Sequence, residues 1–191
     1  MQASEQPKLE LARARDAVHK MVAATSLDEY EENWKEVLRR LERCWNKAHA
    51  HFGKSPKWNG WQGRIDKLRR TDPLLSYLVN ARGAEEHSVN DISARHPGVI
   101  GINPAEGNSL YIEHMEINQG VVSIRSPQKL KIDFIPDRIG LLPVTNRGRT
   151  YDIPRTHLGK GVDPADVRAI AEMGIAFYEE VLRDAEAFFV K

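Results

Sequence analysis

The chain has 191 residues, with 28 basic and 27 acidic side chains and a hydrophobic share of 41%. This length allows a core that needs no disulfide or metal for support, and Cys44 is the only cysteine, which excludes an internal disulfide. No apolar run approaches the roughly 18 residues that span a bilayer, and the first residues lack the apolar segment of a secretory signal. We therefore expect a cytoplasmic protein with no membrane association.

Basic and acidic residues are segregated along the chain. Residues 35–70 contain eleven Lys and Arg against three Asp and Glu, whereas residues 1–34 contain four against seven. A basic block of this size can attract a polyanion such as RNA, although solvated helix faces are often basic as well. RNA is therefore a candidate partner.

Helical periodicity dominates the first half of the chain. Residues 4–24 and a longer segment that begins after Thr25 or Ser26 carry apolar side chains at steps of three and four residues. Trp34 and Trp45 lie on the apolar row of the longer helix, which favours core positions for them over stacking on bases.

The sequence SPKWNGWQG, which follows the long helix, is typical of a connecting loop before a short helical segment at 64–70. Trp58 and Trp61 of this loop lie among cationic residues. They can stack on single-stranded nucleic acid, or they can cover one end of a helical core. The residues of this region that we expect to contact RNA are Lys54, Lys57, Arg64, Lys67, Arg69 and Arg70.

A further helix is predicted to begin at Asp72-Pro73, because aspartate caps a helix start and proline fits the first helical position. Its first half is apolar, and its second half is polar and contains Arg82 and His87. Five residues of separation leave these two about 140° apart around a helix axis. Arg82 can pair with Glu85 or Glu86 on a solvated surface, or Arg82 and His87 can belong to a site.

Strands and turns are expected after this helix, since seven of the ten prolines fall between Pro97 and Pro164. We predict a loop at 96–108, a strand in SLYIEHMEI, a turn at 118–120 and a hairpin around TNRGR. Residues 129–135 alternate as a half-buried antiparallel strand does, with Leu130, Ile132 and Phe134 on its buried face.

The last helix is predicted to start after an Asp163 cap, with Gly174 marking a close approach of another element. The fold class predicted from these patterns is α+β, predominantly α. An up-and-down helical bundle formed by residues 1–95 and 163–191 would carry a small antiparallel β-element inserted at about 109–155. We expect residues 1–191 to form a single domain.

The run YLVNARGAEEHS, in which four residues separate Arg82 from His87, resembles the R-x4-6-H motif of the HEPN superfamily. The resemblance implies a metal-independent endoribonuclease, often a toxin or defence effector, whose active sites face each other across a homodimer. It also implies that Arg82 and His87 are the catalytic pair, that no cofactor is needed, and that an antitoxin or another protein is a candidate partner. Gly83 departs from the pattern, since a polar residue often follows the arginine, and so does the β-insert.

The chemistry suits this pair. Cleavage of RNA by its own 2′-hydroxyl needs a group that moves a proton, which histidine does near neutral pH. It also needs a cation for the phosphate oxygens, which arginine binds with a planar fork. The alternative function is a non-catalytic helical adaptor that binds RNA or a partner protein.

Two other patterns have weaker chemical support. His49 and His51 point about 200° apart on a helix, so we expect no metal site that includes them and Cys44. The segment HLGKG at 157–161 looks like an anion cradle before a helix, but it lacks the full P-loop pattern and Asp163 would occupy the helix end.

Overall fold

A computed structural model describes residues 4–87 and 91–190, and the side chain of His87 lies outside this description. The helices are α1 (Glu5–Ala23), α2 (Leu27–Phe52), α3 (Trp58–Thr71), α4 (Pro73–His87) and α5 (Val167–Phe189). The strands are β1 (Ser93–His96), β2 (Val99–Pro104), β3 (His114–Asn118), β4 (Val121–Arg125), β5 (Leu130–Ile135), β6 (Arg138–Leu141), β7 (Val144–Asn146), β8 (Arg149–Tyr151), β9 (Thr156–His157) and β10 (Lys160–Gly161). The predicted α+β class is confirmed.

The chain divides into two compact units, which we describe separately. Residues 1–95 and 139–191, called the helical unit, contain all five described helices and the hairpins β7–β8 and β9–β10. Residues 96–138, called the β-unit, contain the antiparallel pairs β2–β5 and β3–β4. Each described strand pairs with one other strand, and β1 pairs with β6.

The core of the helical unit forms where α1, α4 and α5 pack on α2. Trp34 and Trp45 of α2 are buried, so the prediction that they are core residues is confirmed. Gly174 of α5 lies against the same core, since a Cβ built there would fall 2.6 Å from Leu78 Cδ1 and 3.0 Å from Leu41 Cδ1. The glycine therefore permits the close approach that we expected from its position.

Helix starts follow local capping chemistry. Ser26 caps α2 by accepting a hydrogen bond from the Glu29 N–H, which decides between the two candidate caps. The last helix begins later than predicted, because Asp163 accepts a turn hydrogen bond from Ala165 and Asp166 is the residue that caps α5.

Residues 58–63 are helical, so the prediction of a loop there is wrong. Trp58 and Trp61 are three residues apart, which places them on one face of α3, and their rings stack at a centroid distance of 5.1 Å. Trp58 is fully buried against Phe52 and Phe189, and its indole N–H donates to His49 Nδ1 at 3.0 Å. Of the two roles left open for Trp58, covering the end of the core is the one observed.

The predicted loop at 96–108 is also partly wrong, because it contains β2, which pairs with β5. The predicted turn is confirmed, since Gln119 and Gly120 both have positive φ, as a two-residue hairpin turn requires. Strand β5 is antiparallel as predicted, but Ile132 and Phe134 are 60% and 72% exposed, so their predicted burial is wrong. Strands extend from Ser93 to Gly161, beyond the expected insert at 109–155.

None of the described helices is long and apolar enough to cross a membrane.

A buried carboxylate joins α1 to α2. Glu10 is fully buried, and its oxygens accept hydrogen bonds from Lys47 Nζ at 2.5 Å, Arg40 Nη1 at 2.8 Å and Arg13 Nη1 at 3.3 Å. Burial alone would raise the pKa of Glu10, but the hydrogen bonds and charges of Lys47 and Arg40 lower it to about 2. The ionised form of Glu10 therefore stabilises the fold.

We predict that Glu10→Gln lowers the free energy of unfolding at pH 7 by roughly 2–3 kcal/mol. Because the pKa in the folded state is depressed, this stabilisation is complete above the unfolded-state pKa of about 4.3 and is lost as pH falls towards 2. Urea titrations followed by circular dichroism at pH 7 and pH 3 measure the difference. Glu5→Gln, an exposed position of the same helix, serves as the control, and an equal loss in both variants would contradict the prediction.

Candidate nucleic-acid interface

Arg82 lies in the second half of α4 and is half-buried. Its Nη2 donates to Glu86 Oε1 at 2.6 Å, so the expected pairing along the helix is present. Its Nε is buried and has no hydrogen-bond partner among the described residues. Arg82 therefore carries both a neutralising partner and a donor that lacks an acceptor, and an unsatisfied buried donor is costly and uncommon.

Gly83 is explained by a close contact. A Cβ built at Gly83 would fall 2.5 Å from Asn146 Nδ2 of β7, and this same Nδ2 donates to Asn80 Oδ1 at 3.0 Å. The residue that departs from the HEPN pattern is thus the one that lets β7 approach α4. His87 is the last residue of α4, and its predicted role depends on a side chain outside the described part of the chain.

Two of the residues expected to contact RNA are engaged within the protein. Arg69 is buried, donates to Tyr178 and to Glu42 Oε2 at 2.7 Å, and places its guanidinium 5.1 Å from the Trp45 ring. Its position gives RNA little access. Arg64 is more exposed, but its Nη2 donates to Asp184 Oδ2 at 2.9 Å.

The other four residues expected to contact RNA, which are Lys54, Lys57, Lys67 and Arg70, are exposed. None of them has a carboxylate partner among the described residues. Lys57 and Arg64 line an open groove of about 650 Å³ that also contains Trp61 and Phe188.

Much of the basic block at 35–70 is neutralised along α2. Arg40 pairs with Glu36 and with Glu10, and Lys47 pairs with Glu10. Lys35 likewise pairs with carboxylates one turn before it on the same helix. The cations of the helical unit that remain without a carboxylate partner lie mainly in and before α3 and in the hairpins, outside the long helix.

Three of these unpaired cations line one groove of about 610 Å³, which we call the arginine groove. Arg70 comes from the end of α3, Arg149 from β8 and Arg155 from the segment before β9. Its further lining residues are Thr71, Pro73, Ser76, Pro143, Thr150, Tyr151, Asp152, Ile153 and Thr156. Asp152 is the one carboxylate in this lining, so the described groove has an excess of positive charge.

An adjoining hollow of about 340 Å³ extends the arginine groove towards the middle of α4. It shares Arg70, Ser76, Arg149 and Tyr151 with the groove and adds Asn80 among others. Tyr151 is half-buried, and the guanidinium carbon of Arg149 lies 5.2 Å from the centre of its ring. Aromatic rings among cations are the usual elements of a single-stranded nucleic-acid surface.

Arg149, Tyr151 and Arg155 are absent from the residues expected from the sequence to contact RNA. They lie about 80 residues after Arg70, and no local motif connects the two segments. The docking of β7–β8 on α4 brings them together, so a sequence pattern had no means of identifying the groove.

The segment at 157–161 does hold an anion, but the anion belongs to the protein. Asp72 accepts hydrogen bonds from the Leu75 N–H at 3.0 Å, His157 Nδ1 at 2.9 Å and the Leu158 N–H at 2.7 Å. Burial opposes ionisation of Asp72, but the Leu158 N–H and the His157 ring hold its pKa below the usual range. The Asp72 carboxylate therefore occupies the segment that looked like an anion cradle in the sequence.

Comparison of the chain with protein-family models, with curated proteins and with solved structures found no match. Among the described residues, no group of three or more His, Cys, Asp or Glu is arranged to hold a metal ion. Cys44 is buried, and burial raises the pKa of its thiol to about 12. The arginine groove and α4 are therefore the features of the helical unit that bear on its function.

We predict that Asp72→Asn lowers the free energy of unfolding by about 1–2 kcal/mol at pH 7, since charged hydrogen bonds to Leu158 and His157 are lost. The depressed pKa means that Asp72 stabilises the fold above its unfolded-state pKa of about 3.9 and loses this effect in more acidic solution. Urea unfolding at pH 7 measures the loss. Asp163→Asn removes an exposed carboxylate that makes a local turn and should change stability much less.

Proposed function

We propose that this protein binds RNA along the arginine groove and cleaves it without a metal, with Arg82 and His87 as the reacting pair. The observation that carries the proposal is the groove itself. Arg70, Arg149 and Arg155 come from three separate segments, have no carboxylate partner among the described residues, and line one groove together with a half-buried tyrosine.

The groove suits the chemistry of a single RNA strand. Guanidinium groups bind phosphate oxygens through paired N–H donors, and neutralised phosphates release counterions, which supplies much of the affinity. The ring of Tyr151 offers a face on which a base can stack.

Arg82 and His87 supply the reactive groups in this proposal. The unpartnered Nε of Arg82 is a donor that a phosphate oxygen can satisfy. His87 follows Asn80 and Gly83 at steps of seven and four residues, so its backbone lies on the helix row that faces β7. There the histidine would move the proton of the attacking 2′-hydroxyl, and Arg82 would stabilise the charge on phosphorus.

The proposal includes two features of the HEPN resemblance. The five helices are taken to form an up-and-down bundle, and the protein is taken to be a homodimer. Because Arg82 and His87 are about 140° apart around α4, a two-fold pairing of α4 helices would bring the histidine of one copy towards the arginine of the other. A toxin or defence role, with an antitoxin as partner, follows from the same resemblance.

The second candidate is a non-catalytic adaptor that holds RNA in the arginine groove. The ion pair between Arg82 and Glu86 favours this candidate, because it occupies one nitrogen of the arginine and offsets its charge. The groove does not include Arg82 in its lining. RNA binding and RNA cleavage are therefore separable by mutation.

For cleavage, we predict that His87→Ala and Arg82→Ala each lower the rate on mixed single-stranded RNA by about 10² or more, since each removes a reacting group. The assay is run in chelator with purified protein, and gel analysis of the RNA gives the rate. Glu85→Gln, on the same helix, is the control. Equal cleavage by all variants would assign the activity to another site, and binding without cleavage by the unaltered protein would favour the adaptor.

For binding, we predict that the double variant Arg149→Glu/Arg155→Glu weakens RNA affinity at least tenfold, because two phosphate contacts become repulsive. The magnitude of the slope of log affinity against log salt should fall by about 1.4, since each phosphate contact on a single strand contributes about 0.7. Fluorescence anisotropy with a labelled oligonucleotide measures both quantities. Arg168→Glu/Arg183→Glu makes the same charge change on exposed α5 positions, and an equal loss there would mean that net charge, rather than the groove, governs binding.

A further inference from the structure

The ladder of β2 and β5 in the β-unit has one entirely apolar face. Residues directly opposite in an antiparallel ladder share a face. The pairs Ile100 with Phe134, Ile102 with Ile132 and Pro104 with Leu130 fall on the same side. The other side is mixed: it carries Asn103 opposite Lys131, Gly101 opposite Asp133 and Val99 opposite Ile135, and Lys131 forms an ion pair with Asp133 at 3.2 Å.

The ladder of β3 and β4 repeats this division. Met115 lies opposite Ile124, and Ile117 lies opposite Val122, so one face of this ladder is apolar. The other face is mainly polar and carries His114 opposite Arg125, Glu116 opposite Ser123 and Asn118 opposite Val121. Alternation of this kind is typical of strands with one face buried against another layer.

The apolar faces are nevertheless exposed. Phe134 is 72% exposed, Ile117 66% and Ile132 60%, and Ile100 and Met115 are exposed as well. Ten of the fourteen large hydrophobic residues exposed in the described chain belong to the β-unit. A two-stranded ladder is marginally stable in water unless its apolar face is covered, and a contiguous apolar patch of several hundred Å² marks an interaction site.

We infer that the apolar faces of the β-unit dock on the same faces of a second copy of this chain, forming a two-fold symmetric dimer. The five exposed residues of the apolar faces, Ile100, Met115, Ile117, Ile132 and Phe134, expose about 500 Å², if the full accessible area of each is taken as roughly 150–200 Å². A standard interface buries about 800 Å² on each partner. These five residues therefore supply more than half of the area that one stable dimer requires.

The charge of the β-unit also favours a second copy. Residues 96–138 contain four Lys and Arg and five Asp and Glu, so two copies repel each other little. A strongly charged partner would need residues of the opposite charge around the apolar patch. The β-unit, with nearly equal numbers of acidic and basic residues, does not supply them. A two-fold contact requires a surface that complements itself, and two apolar sheet faces stack about 10 Å apart in this manner.

Sedimentation equilibrium of the full chain without RNA tests the inference, using Phe134→Asp and Ile117→Asp as separate variants. The unaltered protein should be a dimer at tens of micromolar, since interfaces of this size usually give dissociation constants of about 1 µM or less. Each variant should raise the dimer dissociation constant at least tenfold, because it places a carboxylate in the apolar contact. Asn103→Asp makes the same charge change on the polar face of β2 and should leave the constant unchanged.

A second measurement applies if an aspartate variant disturbs the folding of the β-unit. Cys44 is buried, so Ile132→Cys introduces one accessible thiol on the apolar face, and a short thiol crosslinker should join two chains. Asn103→Cys should not crosslink. A monomeric unaltered protein would overturn the inference, and so would a dimer that all three aspartate variants retain equally. RNA binding in the arginine groove needs no dimer, so the binding proposal and this inference can fail separately. A monomeric protein would also contradict the pairing of α4 helices, whereas loss of the dimer in the aspartate variants would place the contact in the β-unit.

Discussion

Asp72 ties the start of α4 to the hairpin β9–β10 through hydrogen bonds to His157 and to the Leu158 N–H. The same carboxylate caps α4 through the Leu75 N–H. Farther along the helix, the Tyr77 hydroxyl donates to the Leu142 carbonyl at 2.8 Å. These contacts fix the segments on either side of β7–β8, and the close approach at Gly83 allows β7 itself to dock. The positions of Arg149 and Arg155 beside Arg70 depend on this docking.

Carboxylates also determine which cations remain free. The buried Glu10 carboxylate forms ion pairs with Arg13, Arg40 and Lys47. Because Arg40 and Lys47 belong to α2, these cations join α2 to α1. Arg69 is similarly used inside the helical unit. Positive charge is left unpaired near α3 and on the hairpins, where an exposed guanidinium costs little in solvation and remains available to a phosphate. The internal pairing therefore separates structural cations from those able to bind an anion.

The two units differ in how far their apolar side chains are buried. In the helical unit, apolar side chains meet across helices and a fully buried aromatic residue such as Trp58 covers the end of the core. In the β-unit, one face of each ladder is wholly apolar, but Phe134 and Ile117 on these faces remain exposed to water. Apolar faces are therefore covered in the helical unit and exposed in the β-unit. We infer that the β-unit covers its apolar faces by association with another chain.

The sequence by itself determined the elements that depend on neighbours within about four residues. Apolar periodicity located the long helices, Asp72-Pro73 located the start of α4, and Gln119-Gly120 located a turn, because caps, helix faces and turns are local. Only the tertiary structure decided that Trp58 begins a helix, that β2 pairs with β5, that Arg69 is buried, and that Arg70 shares a groove with Arg149 and Arg155. These outcomes depend on contacts between residues that are distant in sequence, where the surrounding packing and the available carboxylates, rather than local propensity, determine which side chains meet.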